Sequence, residues 1–358
     1  MTPLKNYIVN LIQQGGQIPL DVFIDIALAH PEHGYYRTRD PLGRAGDFIT
    51  APEISQMFGE LIGLWCVDMW QKLGSPSSFN LIEFGPGRGT LMADALRAAK
   101  LVPAFEAAAE ITFVETSPTL RAEQKQRVPN ANWVEHSSDL PSGPSLIIAN
   151  EFFDALPIRQ FQKTNQGWRE RCVTLRASST DGNPDFEFCL SHEPVSPDVL
   201  PPRVRPAPEG SIAEICPLGL QIAGDLAQHL TAAPGAALII DYGYVESAPG
   251  DTFQGLKNHA YVPPLIDPGE ADLTAHVDFA ALARATNAAA SCGPVEQGAF
   301  LRALGIEARA NVLMTNAESH HQQDIKAALK RLTDPTAMGS LFKVMALTSK
   351  NIPAPAGF

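Results

Sequence analysis

Leu81-Ile82-Glu83-Phe84-Gly85-Pro86-Gly87-Arg88-Gly89-Thr90-Leu91 decides the fold. An apolar run ends at an acid, three glycines follow at alternate positions, and Leu91, Met92, Ala95 and Leu96 begin a helix-compatible run. This predicts a strand, a tight turn and a helix N-terminus, the way a parallel sheet presents backbone N–H groups to a ligand. A dinucleotide fingerprint G-x-G-x-x-G counted from Gly85 or Gly87 would need glycine where Thr90 and Met92 stand. The Gly-Lys-Ser/Thr ending of a phosphate-binding P-loop is also missing.

What remains, E-x-G-x-G-x-G, resembles the first motif of class I S-adenosylmethionine (SAM) methyltransferases; a strand-to-helix turn of some other α/β protein is the alternative. The resemblance makes Glu83, Gly85, Pro86, Gly87, Gly89 and Thr90 candidate cofactor contacts. Close backbone approach to the methionine portion needs residues without a Cβ, and a strand-end carboxylate suits the cofactor's cationic groups.

With 358 residues, 45% of them hydrophobic, the chain can build a large core in one domain with insertions or in two domains. No run of residues reaches the length and apolarity of a membrane span. The first fifteen residues lack a signal-peptide pattern, and the Arg-rich, acid-poor character of a transit peptide is missing too. A bacterial cytosolic protein is the default expectation. The balance of 27 basic and 39 acidic residues, net −12, argues against nucleic acid as a partner and accommodates a cationic substrate. The five cysteines show no metal-knuckle or CxxC spacing, so no metal is expected.

Helices are predicted from residue 3 to Gly15 and from Val22 to Ala29, followed by a long irregular stretch through Ile49. Thr50-Ala51-Pro52-Glu53 reads as a capping box that opens a helix to about Leu73. Gly59 and Gly63 within it cost helix propensity and point to close packing on another element. Beyond Phe79, short apolar strands alternate with helices, the signature of a parallel α/β sheet. The strands fall at Asn80 to Phe84, Ile111 to Glu115, Asn132 to Glu135, Leu146 to Ala149 and Ala236 to Ile240, with Ser340 to Leu347 closing. Ser211 to Leu230 reads as a helix kinked or split at Pro217, and a helix is expected from Phe279 through Ala289. The organisation expected is a helical region with a cofactor-proximal loop (1–73), the first half of the core (74–162), an insertion of small antiparallel strands plus a helix (163–235), and the second half (236–358) interrupted at 245–272.

Glu115 ends the second strand, where such sheets place an acid for ribose hydroxyls; a solvated turn residue is the alternative. Asp139 either faces an adenine amino group or closes an Asx turn. After the fourth strand come Glu151, Phe152, Phe153 and Asp154. If a helical turn begins here, the two acids share a face and, with the phenylalanines, suit a flat guanidinium. Otherwise they are acids at a helix N-terminus over core phenylalanines. His276 and Asp278 suit capping or packing better than acid/base work.

Taken in order, the stretches from Ala45 to Glu60, from Glu83 to Leu91 and from Asn150 to Pro157, then Asp241-Tyr242-Gly243 and the run from Ala271 to Phe279, resemble the MidA-like methyltransferases. That family includes the mitochondrial protein-arginine methyltransferase that assists assembly of respiratory complex I. The resemblance covers most of the chain. It implies a Rossmann-like seven-stranded sheet of the class I methyltransferase type, with an N-terminal helical extension and substrate-side insertions. It also implies SAM as cofactor and a protein arginine as acceptor, on a complex I (NADH dehydrogenase) core subunit. Glu151 and Asp154 are then the candidate catalytic residues, and Asp47, Thr50, Pro52 and Glu53 join Glu83, the glycine turn, Glu115 and Asp139 around the cofactor. A non-catalytic SAM-binding assembly factor, a small-molecule methyltransferase and a homodimer all stay open at this point.

Overall fold

A computed structural model of the chain describes residues 1–38, 50–176, 184–315 and 317–358. It divides into two compact units, each made from three chain segments: Ile49–Phe153, Gln221–Val245 and Leu282–Phe358 form one, and Met1–Phe48, Asp154–Leu220 and Glu246–Ala281 the other.

The first of these holds the central sheet. Its strands are β1 (Phe79–Phe84), β2 (Ala109–Val114), β3 (Asn132–Val134), β4 (Ser145–Asn150), β5 (Gly235–Tyr244), β6 (Ala290–Glu296) and β7 (Phe342–Thr348). They run in the order β6-β7-β5-β4-β1-β2-β3. The first five are parallel, and β7 lies antiparallel between β5 and β6. Strands buried on both faces read as near-continuous apolar runs, and β1 and β4 are buried at every position. The class I methyltransferase fold expected from the sequence is present.

Helix Gln56–Lys72 packs on helix Thr90–Ala99 through its glycines. A Cβ added at Gly59 would lie 2.6 Å from Asp94 Cβ, and one at Gly63 would lie 2.4 Å from the Ala95 carbonyl oxygen. The close packing expected of these two residues is real. Beside them the buried Glu60 carboxylate accepts from Arg97 at 3.0 Å and from Arg309 at 2.7 Å.

The second unit gathers the N-terminal helices Pro3–Gly15 and Leu20–Ala29 with the insertions. Strands Arg159–Thr164, Gly167–Leu175, Phe186–Leu190 and Ile212–Ile215 form an antiparallel sheet with Ile18–Pro19. Its core packs Leu4, Ile8, Phe23 and Ile24 against Val173, Phe186, Phe253 and Leu273. Gln254–Lys257, Ala260–Val262 and Asp272–Thr274 make a further small sheet.

Three expectations need correction. Ser211 to Leu230 is not one helix: Ile212–Ile215 is a strand, and Pro217 is the first residue of helix Pro217–Ala232. Proline is at home there, because first-turn N–H groups have no partner inside the helix. The helix from Phe279 stops at Ala285, and the chain enters β6 at Ala290. The capping box at Thr50 does not form, since the Thr50 side chain makes no cap bond. Ser55 instead caps the long helix by accepting from Met57 N–H at 3.2 Å.

Gly63→Ala isolates the helix contact. Alanine raises helix propensity by about 1 kcal/mol, yet its Cβ must displace the Ala95 backbone, so a net loss of about 1–3 kcal/mol is expected in urea denaturation. Gly15→Ala, which meets nothing within 4 Å, should gain about 0.4–1 kcal/mol. Equal behaviour of the two variants would refute the contact.

Candidate functional site

The sheet changes winding direction between β1 and β4, and open α/β sheets bind ligands outside the carboxyl ends of strands at such a point. Glu83 is the penultimate residue of β1 and is buried. Its carboxylate accepts the Met92 backbone N–H, while Oε2 is buried without a hydrogen-bond partner among the described residues. Burial pushes its pKa up from 4.5 to about 8, with the Met92 bond acting in the other direction. A carboxylate short of donors in a dry site is a receptor for a cation.

The turn that follows has positive φ at Gly85, Gly87 and Gly89, of 57°, 54° and 78°. Gly89 N–H closes it on the Pro86 carbonyl at 2.8 Å, and helix Thr90–Ala99 starts at once. A Cβ on Gly85 would come within 2.9 Å of the Phe152 ring, itself edge-on to Phe84 with ring centres 5.3 Å apart. Phe152 is thereby committed to packing on the turn. Phe153 is buried.

Glu115, just past β2, is also buried, but its carboxylate is better served. Oε1 accepts Ser117 N–H at 2.7 Å and Oε2 accepts Gln124 Nε2 at 3.1 Å. Burial raises its pKa, opposed by those two bonds. Gln124 gave no sequence signal, standing in the polar run Arg121-Ala122-Glu123-Gln124-Lys125.

Short helix Ala51–Ile54, with Pro52 in its first turn, reaches the same region. Its Glu53 accepts from Thr90 Oγ1 at 2.6 Å, fixing the helix to the first residue after the glycine turn. Its leading N–H, on Ala51, is capped from far along the chain by Glu151 Oε1 at 2.8 Å. Glu151 follows β4 in left-handed backbone, φ 50°, a conformation that costs a non-glycine residue energy and is kept only where its surroundings impose it. Asp241, fully buried at β5, supports this loop by accepting Phe153 N–H at 2.9 Å. The sequence placed Asp241 in a matching stretch without giving it a task.

No helical turn begins at Glu151, so the condition under which Glu151 and Asp154 would share a helix face is not met. Asp154 belongs to the other unit, where it is buried and its carbonyl accepts Ala275 N–H at 3.0 Å. Asp139 lies exposed on the 3₁₀ turn Ser137–Asp139 and accepts from Ser138 Oγ at 3.2 Å. Asp278 caps the following helix by accepting Ala281 N–H at 2.9 Å. Asp47 lies outside the described residues. Among those residues no cluster of His, Cys, Asp or Glu is arranged to hold a metal ion.

Residues 61–296 match the profile of a family of S-adenosyl-L-methionine-dependent methyltransferases. The chain is 40% identical to the fruit-fly (Drosophila melanogaster) protein arginine methyltransferase NDUFAF7 homolog, mitochondrial, over 93% of this chain and 82% of that one. It is 36% identical to the human (Homo sapiens) mitochondrial protein arginine methyltransferase NDUFAF7, over 97% and 83%. Among solved structures it superposes on a COG1565 superfamily protein from Burkholderia thailandensis bound to S-adenosyl-homocysteine. The TM-score is 0.83 at 25% identity, covering 99% of this chain and 93% of that one. The fly and human relatives, both mitochondrial, overturn the expectation of a bacterial cytosolic protein. Composition of a folded domain does not record its compartment, which is written in removable targeting segments.

The ligand-free protein offers a direct check on Glu83. A folded-state pKa raised from 4.5 to about 8 means the folded state holds the proton more tightly, so Glu83's contribution to stability falls as pH rises between those values. Glu83→Gln removes that dependence. In urea denaturation it should match the wild type near pH 4 and exceed it at pH 9 by up to roughly 5 kcal/mol. A pH-independent difference would show that folding does not shift the Glu83 pKa.

Proposed function

Because the chain belongs to the S-adenosyl-L-methionine-dependent methyltransferase family, we propose that it methylates arginine side chains of a protein, specifically a core subunit of respiratory complex I. The enzyme uses SAM as its cofactor. The arginine acceptor rests on the names of the fly and human relatives, both protein arginine methyltransferases, and on the −12 net charge, which favours a cationic acceptor. The complex I subunit follows from the family resemblance.

The observation that carries the cofactor placement is the buried, donor-poor Oε2 of Glu83 beside three left-handed glycines. That carboxylate would take the ammonium of the methionine portion, and the turn from Gly85 to Gly89, with Pro86 and Thr90, would admit its backbone without a Cβ in the way. Glu115 would take the ribose hydroxyls and Asp139 the adenine side. Thr50, Pro52 and Glu53 would close the near wall. When bound, SAM supplies an electrophilic methyl group on a sulfonium centre. The task of the chain is then to hold the guanidinium in line and to exclude water. Glu151 would orient it and localise its charge on one side, since a guanidinium does not deprotonate near neutral pH by itself; Asp154 would be the second acid for the acceptor.

Two measurements test this reading. Placing an ammonium against Glu83 should draw its pKa down, so calorimetry at pH 7 in buffers of different ionisation enthalpy should show close to one proton released per SAM bound, and none for Glu83→Gln. Mass spectrometry of mitochondria-enriched or whole-cell proteomes with and without the gene should show methyl groups lost from arginine on a complex I subunit. Loss confined to small molecules would overturn the arginine assignment while leaving the cofactor site standing.

A further inference from the structure

Helix Pro118–Arg127 is polar along most of its length, with Lys125, Gln126 and Arg127 in solvent, yet its Gln124 is fully buried. Nε2 donates to the Gly87 carbonyl at 2.7 Å and to Glu115 Oε2 at 3.1 Å, and Oε1 accepts Trp133 Nε1–H at 2.7 Å. The amide has one orientation. An indole N–H only donates and so must face the amide oxygen, while a carbonyl and a carboxylate must face its two N–H groups. All three contacts agree. The same helix also grips the turn through Arg127, whose Nη1 donates to the Arg88 carbonyl at 2.7 Å, and through Glu123, 3.5 Å from Arg88 Nε. A Cβ on Gly89 would rest against Gln124 Cα at 3.5 Å.

We propose that Gln124 is a positioning residue that sets the Glu115 carboxylate for the ribose hydroxyls and fixes it in register with the glycine turn. This rests on the reading of Glu115 as the ribose acid. A carboxylate has about four acceptor positions. Ser117 N–H and Gln124 hold one position on each oxygen and the Thr116 N–H a further one, which stops rotation and leaves capacity for a hydroxyl donor. Glutamate at this position would repel Glu115, and an apolar residue would strand the Gly87 carbonyl, the Glu115 oxygen and the Trp133 N–H together. Trp133 acts through Gln124, locking the amide from β3.

Calorimetry with S-adenosylhomocysteine, and with its analogue lacking both ribose hydroxyls, tests the proposal. The wild type should prefer the hydroxylated ligand by about ten-fold or more, as hydrogen bonds to a charged group allow. In Gln124→Met that preference should collapse to about two-fold or less. Because the preference is a ratio, a general loosening of the turn weakens both ligands and leaves it unmoved. Full preference retained in a folded Gln124→Met therefore overturns the proposal. A wild type without any preference overturns the ribose assignment of Glu115 and the proposal with it. Trp133→Phe keeps Gln124 in place but unlocks its amide, and so supplies a second variant should methionine at 124 not fold. An intermediate preference is expected, and one equal to wild type would again count against Gln124.

Discussion

Between Phe84 and Thr90 the backbone must turn left-handed at Gly85, Gly87 and Gly89, and no side chain can follow that path without strain. The space left empty is used at once by neighbours. Phe152 comes up against Gly85 from the loop after β4, and Gln124 reaches the Gly87 carbonyl from the helix after β2. Thr90, first residue beyond the turn, takes hold of Glu53. Three remote parts of the chain thus take their positions from a five-residue turn.

Buried carboxylates in this unit are handled in different ways, and the contrast sorts them. Glu60 lies between two guanidinium groups, Arg97 and Arg309, and is a structural anchor. Glu115 receives neutral donors from Ser117 and Gln124. Glu83 receives one backbone N–H and leaves Oε2 without a partner among the described residues, and its burial holds the proton up to about pH 8. Burial without adequate donors is costly in an empty protein and is relieved by an incoming cation.

Features confined to a short stretch were legible in the sequence. The apolar run before Glu83, the alternate glycines and the helical spacing after Thr90 all lie within one window, and β1 to β5 emerged with ends shifted by a few residues. Gly59 and Gly63 were legible because a glycine inside a helix needs a reason. What escaped was tertiary. Ile212 and Ile215 fit a helical stripe as well as a short strand, and only the pairing with Arg159–Thr164 settles the matter. β6 carries Gly293-Pro294, a pair that disfavours a central strand but is tolerated on an edge strand with a register shift between Cys292 and Val295. Thr50 and Glu53 had the spacing of a capping box, yet Thr90 and Glu151 supplied better partners from a distance. Gln124 had no pattern of its own, since its burial depends on Trp133, Gly87 and Glu115 meeting in space.

The place of β7 bears on how the protein is made. A chain leaving the ribosome releases β6 well before β7, yet among the described residues β6 pairs only with β7, and β7 in turn separates it from β5. Until Phe342–Thr348 emerges, β6 has no strand to join and β5 exposes an apolar edge from Ala236 to Ile240. Unpaired strand edges of this kind are prone to associate with other chains. Strand β7 therefore closes the sheet, and a nascent chain that stalls just short of it is the form most in need of a chaperone.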